Sequence, residues 1–239
     1  MVERFDVRRN TLDTARAGAA VDGGLRSYML KVYNYMASAL LLTGMVALLT
    51  AQSETMMQAI FGTPLMWVVI FAPLVLVFAL SAGVNRMRAS TLQALFWVYA
   101  ALVGLSIASI FAIYTGESVA RVFFITAASF GALSLWGYTT KRDLTGFGSF
   151  LIMGLFGIII ASVVNIFLKS TGLQFAVSVL GVLIFAGLTA YDTQKIKEMY
   201  WHADGGEVAT KKAVMGALSL YLDFLNMFLM LLRLFGERR

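Results

Sequence analysis

The chain has no cysteine and few charged residues. The absence of cysteine excludes disulfides, thiolate nucleophiles and zinc sites with cysteine ligands together. Charged residues make up 13% of the 239 residues, which is about half of their usual share in soluble domains. The basic residues behind the net charge of +6 stand at the ends of apolar runs and form no continuous tract. Because nucleic-acid binding needs a continuous basic patch, no nucleic-acid partner is expected.

Apolar residues are abundant instead, at 59% of the chain, which is more than a soluble domain of this length could bury in one core. A transmembrane helix needs about 20 mostly apolar residues. Seven stretches qualify, at residues 28–50, 65–83, 91–113, 122–138, 147–168, 173–192 and 213–235. The sequence therefore predicts an all-α integral membrane protein, with seven transmembrane helices at 27–239. The polar stretch at 1–26 lacks the apolar core of a cleavable signal and is expected to be a tail.

The distribution of basic residues predicts a cytoplasmic N-terminus. With that orientation, 14 of the 19 basic residues lie in inner segments, and the outer loops before the last span hold only Arg121 and Lys169. Arg233, Arg238 and Arg239 would then lie outside, against the rule, if the last span crosses completely. We expect the full crossing.

Two aspartates lie where charge is expensive, since a charged side chain at the centre of a transmembrane helix costs about 2.5–3.5 kcal/mol. Asp223 is near the middle of the last span, and Asp192 is near the inner end of the sixth. If the two met, they would repel each other and share a proton, so that the pair would sense pH; when unprotonated, it would offer the hard oxygen ligands that calcium prefers. Counting residues places Asp192 about 3 Å and Asp223 about 15 Å from the inner end. The alternative is two separately solvated carboxylates.

Arg86 and Arg88 close the second span at its inner end. Basic residues in this place ordinarily anchor a helix at the membrane surface. The sharper hypothesis is that one of them reaches an aspartate and forms a charge-assisted pair.

Four segments carry a resemblance to a known family. They read TAYDTQKI at 189–196, YLDFLN at 221–226, GYTTKRDL at 137–144 and GLRSY at 24–28. In this order they resemble the hallmark segments of the Bax inhibitor-1 family, and the chain is similar to a bacterial member. The resemblance covers nearly the whole chain and leaves out the tail before Gly23.

The resemblance implies a fold and an activity. Six helices, in two layers of three, would wrap a central C-terminal helix. The compact length and the uncleaved start suit the bacterial inner membrane, and a monomer is expected. The activity implied is a calcium leak that responds to pH. Asp192 and Asp223 would be the pH sensor and weak, transient calcium ligands, and Arg86 would latch one of them. Calcium is then the transported ion, and no cofactor is expected.

Two other functions are to be weighed against the leak. An intramembrane aspartyl protease also uses two carboxylates, but those enzymes carry a Gly-x-Gly-Asp motif, and here Tyr221 and Leu222 precede Asp223. No enzymatic activity is therefore expected. A membrane regulator without transport of its own stays open; it would bind a partner such as a membrane-bound protease or a cell-death factor.

Overall fold

The chain folds into a bundle of helices that run back and forth between two faces. A computed structural model describes the backbone of residues 3–239 and the side chains of residues 22–239. Its helices are α1 Glu3–Gln52, α2 Glu54–Phe61, α3 Leu65–Gly83, α4 Ala89–Ile107, α5 Ile110–Ile113, α6 Gly116–Thr139, α7 Thr145–Leu168, α8 Thr171–Glu198 and α9 Gly206–Phe235. Seven spans in this part of the chain are long and apolar enough to cross a membrane, with α4 and α5 together forming one of them. The predicted all-α protein with seven transmembrane helices is confirmed.

The bounds of some helices differ from the prediction. A short helix, α2, follows the first span and was not predicted; the hydroxyl of Ser53 caps it by accepting a hydrogen bond from Met56 N at 3.3 Å. The sixth span was predicted to end at residue 192, but α8 continues to Glu198. The backbone of α1 runs without a break through the predicted boundary at residue 26. That boundary stays a prediction, and the side chains before residue 22 lie outside the described residues.

The two ends of α9 lie on opposite faces of the bundle. At its beginning, Lys31 Nζ donates to Thr210 Oγ1 at 2.8 Å, which joins α9 to the first span. Beyond its end, Thr115 N donates to Glu237 O, and Arg239 N donates to Ile113 O, both at 3.0 Å. We call these sides the N-face (around Lys31 and Thr210) and the C-face (around residues 113–121 and 237–239). The last helix therefore runs the whole way between the two faces, and the basic C-terminal residues lie on the C-face. Which face meets the cytoplasm stays a prediction.

The spans differ widely in how much protein surrounds them. In the most apolar stretch of α9, 72% of the residues are buried, whereas the corresponding share is 11% in both α3 and α7. Helix α9 packs substantially against α1, α4, α6 and α8. Packing of α9 against these four spans agrees with a central position, and the predicted wrapping by all six stays a prediction.

Close approach between α6 and α8 sets the position of α8 in the bundle. A Cβ atom at Gly137 would overlap the carbonyl oxygen of Ala190 and lie 2.8 Å from its Cα. Small residues at such crossings let two backbones approach closely in membrane proteins. The absence of a side chain at Gly137 thus allows α8 to lie against α6 two residues before Asp192.

Candidate functional site

The carboxyl groups of Asp192 and Asp223 meet inside the bundle. They lie within hydrogen-bonding reach of each other, across the interface between α8 and α9. Asp223 is only 4% exposed, whereas Asp192 is half-buried. Of the two arrangements that the sequence left open, the structure has the one in which the aspartates face each other.

The depths counted from the sequence do not hold, because α8 ends six residues later than predicted and α9 begins at Gly206, seven residues earlier than predicted. The helix continues for six residues after Asp192, which places that residue about 9 Å from the end of the helix. Sequence reasoning ended the span too early because polar residues follow Asp192. These residues have partners within the protein: Thr193 Oγ1 donates to Thr189 O at 2.7 Å, and the side chain of Gln194 is also bonded.

Gln194 ties the loop before α7 to the helix that carries Asp192, a role that sequence reasoning missed. Its Oε1 accepts from Leu144 N and its Nε2 donates to Arg142 O, both at 2.8 Å. Lys197 Nζ adds a bond to Tyr138 O at 2.9 Å. The only sequence signal was that Gln194 and this loop belong to two of the four family-like segments. The hydrogen bonds of Gln194 join these two segments in the structure, although they lie about 50 residues apart in the chain.

A chain of hydroxyl groups holds the other side of α8. Tyr33 OH lies 2.6 Å from Ser134 Oγ, which lies 2.8 Å from Thr193 Oγ1. Because the hydrogen of Thr193 is used on Thr189 O, Ser134 must donate to Thr193, and Tyr33 must donate to Ser134. These hydrogen bonds connect α1, α6 and α8 at Thr193, the residue after Asp192. The hydroxyl of Thr193 is thus fully bonded, which fixes the backbone next to the aspartate.

The carboxyl pair itself is not fully bonded. Asp223 Oδ2 is buried and has no hydrogen-bond partner, and neither aspartate forms an ion pair with any described residue. Ionised carboxylates are acceptors only, so a hydrogen bond between two of them requires a proton held between them. Removing an unpaired charge from water costs several kcal/mol. A charge on the buried Asp223 therefore calls for a proton or a cation beside it.

Arg86 lies away from this pair. It follows α3 in an exposed turn, where its backbone N donates to Gly83 O at 2.9 Å. No described carboxylate forms an ion pair with it, and α3 packs substantially only on α2 and α4. The structure thus brings the two predicted aspartates together and leaves the predicted arginine apart, so the latch stays a prediction about another conformation.

A cavity of about 1250 Å³ extends from the carboxyl pair toward the C-face between α7, α8 and α9. Asp192, Asp223 and Lys195 line one end, Asn226 lies along its length, and Lys169 and Arg238 line the other end. In the described part of the chain, no group of three or more acidic or histidine side chains could hold a metal ion. The cavity therefore offers a route along the bundle with two carboxyl groups at its N-face end.

Comparison with known proteins gives consistent matches over the same chain. A sequence model of the family described as "Inhibitor of apoptosis-promoting Bax1" matches residues 25–239. RP147 of Rickettsia prowazekii, described as uncharacterized, is 53% identical over 229 residues, which are 96% of this chain and 97% of the relative. The inner membrane protein YbhL of Escherichia coli K12 is 50% identical over 219 residues, covering 90% and 94% of the two chains. The membrane protein SpyM3_0260 of Streptococcus pyogenes is 36% identical, over 90% and 95%.

Proposed function

We propose that this chain, which belongs to the Bax inhibitor-1 family, is a pH-sensitive calcium leak gated by Asp192 and Asp223. The observation that carries the proposal is the meeting of two carboxyl groups at the end of a cavity that reaches toward the C-face. Lys195 lines the same end, but neither carboxyl group forms an ion pair with it or with any other described residue. Since its relative YbhL is an inner membrane protein, we place this integral membrane protein in the bacterial inner membrane. Passage is passive and involves no chemical reaction.

Weak binding is what a leak requires of its ion site. Calcium takes six to eight oxygen ligands in tight sites, and the pair supplies two carboxyl groups. An ion held by so few protein oxygens keeps much of its water and leaves readily, as conduction demands. In this proposal the pair attracts calcium to the N-face end of the cavity without trapping it there.

Protonation controls the leak in two steps. With both carboxyl groups ionised, Arg86 pairs with one of them and closes the route. A first proton, shared between Asp192 and Asp223, releases the arginine and leaves one negative charge for the ion; this form requires the two carboxyl groups to be in contact. A second proton removes the remaining charge. Because the two groups titrate as a pair, flux is expected to pass through a maximum as pH is varied.

Calcium flux into proteoliposomes, followed over a pH series with a trapped calcium indicator, tests the proposal. Wild type should give a bell-shaped profile, and both Asp192→Asn and Asp223→Asn should abolish it. Glu117→Gln is the matched control, since that carboxylate is 85% exposed on the C-face and pairs with Arg121. It should keep the wild-type profile. An unchanged profile in both aspartate variants would refute the gate. No flux from pure, folded protein, together with co-purification of a stoichiometric partner, would favour the regulator instead.

The latch has a test of its own. Arg86→Gln should raise flux on the basic side of the profile, where the ionised pair would otherwise hold the arginine. Arg88→Gln removes the same charge from a second exposed position two residues away and should leave the profile unchanged. Equal effects of the two substitutions would mean that surface charge matters and that Arg86 is not a latch.

A further inference from the structure

Three basic side chains line the cavity at its C-face end. Lys169 follows α7, Arg233 lies in the last turn of α9, and Arg238 lies in the C-terminal tail. None of the three forms an ion pair within the described residues, whereas the nearby Arg121 pairs with both Glu117 and Glu237. The mouth of the cavity therefore has three positive charges that these residues leave uncompensated.

The backbone positions of Lys169 and Arg238 are fixed by hydrogen bonds. Lys169 has a left-handed backbone (φ 49°), stabilised by its N–H bond to Asn165 O at 2.8 Å and by Ser170 N donating to Asn165 Oδ1 at 3.0 Å. Arg238 stands between two tail residues whose backbones bond to the segment before α6. Three separate segments thus bring cationic side chains to one mouth, and little backbone ordering remains to be done when an anion binds.

Below this mouth the wall of the cavity is largely apolar. Branched side chains of α7 (Ile159, Val163 and Ile166) face Val177 of α8 and Met230 of α9 across it. Among the described helices α7 packs substantially only on α8, so the cavity is open toward the membrane between α7 and α9. A ligand that enters from this side comes from the hydrocarbon layer.

We propose that the C-face mouth binds an anionic phospholipid, with its phosphate on Lys169, Arg233 and Arg238 and one acyl chain in the C-face half of the cavity. Guanidinium groups bind phosphate oxygens in pairs through parallel hydrogen bonds, and the branched side chains match an acyl chain. A soluble anion would use the charges and leave the apolar wall uncovered. Because this half of the cavity also belongs to the proposed calcium route, an acyl chain there would narrow that route, and lipid binding would compete with calcium passage.

Native mass spectrometry of the purified full chain in detergent, with phosphatidylglycerol and phosphatidylcholine at equal concentrations, tests this site. Wild type should retain phosphatidylglycerol about a hundredfold more than phosphatidylcholine, since three basic residues each attract anionic lipid. The triple variant Lys169→Gln, Arg233→Gln, Arg238→Gln should lose this preference. The control Arg88→Gln, Lys141→Gln, Arg142→Gln removes the same charge from exposed N-face positions and should keep it.

Each contrary result would overturn the proposal. If wild type and the C-face variant had the same preference for phosphatidylglycerol, the three residues would not form a lipid site. If the N-face control lost the preference to the same extent, the preference would come from overall charge. Displacement of the lipid by inorganic phosphate would make the ligand a free anion. If the triple variant does not fold, Arg238→Gln alone, which lies beyond the end of α9, should still reduce the preference roughly fivefold. The binding readout is independent of calcium flux.

Discussion

Helices α9 and α7 are both apolar and long enough to cross a membrane, but their surroundings are different. In the apolar stretch of α9, 72% of the residues are buried, and this helix carries Asp223 and Asn226 at mid-length. In α7 the buried share is 11%, and Phe156 and Phe167 are 63% and 82% exposed. Both helices are apolar enough to span a membrane, and the one with fewer buried residues, α7, is the more apolar of the two.

The difference explains where an ionisable residue can be kept. On α9 a carboxyl group faces another carboxyl group and a cavity, and its helix is shielded by four neighbouring spans. On α7 a carboxyl group at the same depth would face hydrocarbon, where an uncompensated charge is costly. Four sets of substitutions would break or sharpen this comparison, and they follow in order of decreasing effect.

The largest effect is expected from adding bulk where the interior is tightest. Gly137→Val would push a side chain into the backbone of α8 at Ala190 and should destabilise the protein by about 3 kcal/mol, at the upper end for overpacking. Gly157→Val on α7 has no atom within 4 Å of the new Cβ and should change little. Thermal unfolding in detergent measures both, and similar melting temperatures for the two variants would contradict the comparison.

A charge placed on the outer helix should have an effect nearly as large. Phe156→Asp puts a carboxylate at the middle of α7 on the exposed side, at a cost of about 2.5–3.5 kcal/mol on insertion scales. Membrane accumulation of this variant should fall sharply, whereas Asp223→Asn on α9 should accumulate like wild type. Normal accumulation of Phe156→Asp would mean that α7 is covered by protein in the membrane.

A buried pair of hydroxyl groups that joins α1 to α9 should show a smaller effect, which differs between its two members. Thr43 Oγ1 donates to Ala100 O at 2.8 Å and lies 2.7 Å from Tyr221 OH, so Tyr221 is the donor in that pair. Thr43→Val strands the buried tyrosine hydroxyl and should cost about 1–3 kcal/mol. Tyr221→Phe removes the tyrosine hydroxyl itself, so that no buried donor is left without a partner, and should cost about 1 kcal/mol. Chemical denaturation distinguishes the two, and the reverse order would rule out this direction of donation.

The smallest effect is expected from exchanging one apolar side chain for another. Phe224 on α9 is 3% exposed. The centroid of its ring lies 5.4 Å from the ring centroid of Phe123 and 5.5 Å from that of Phe130. Phe224→Leu should cost about 1 kcal/mol, because it loses these ring contacts and leaves a shape mismatch. Phe167→Leu on α7 should stay within about 0.5 kcal/mol of wild type. Equal melting temperatures of the two variants would contradict the buried position of Phe224.

The spans could be predicted from the sequence because lipid imposes a length and a composition on each of them. Asp192 and Asp223 could be singled out because charge is rare in such stretches. The end of α8 could not be predicted, since Gln194 is satisfied by a loop 50 residues earlier in the chain. Nor could the position of Arg86 or the convergence of Lys169, Arg233 and Arg238, because both depend on which helices pack together. Local composition predicts membrane helices, and contacts between distant segments decide their neighbours.

The hydrogen bonds at the two ends of α9 have a mechanical consequence. At the N-face, Lys212 Nζ donates to Met199 O at 2.9 Å and pairs with Asp204 at 2.6 Å. At the C-face, the backbones of Glu237 and Arg239 are hydrogen-bonded to the segment before α6. Because α9 is hydrogen-bonded at both ends, it resists sliding along its axis, and Asp223 is held at one depth. Helix α7 packs substantially only on α8, so in the proposed leak a widening of the route would come from a movement of α7 rather than of α9.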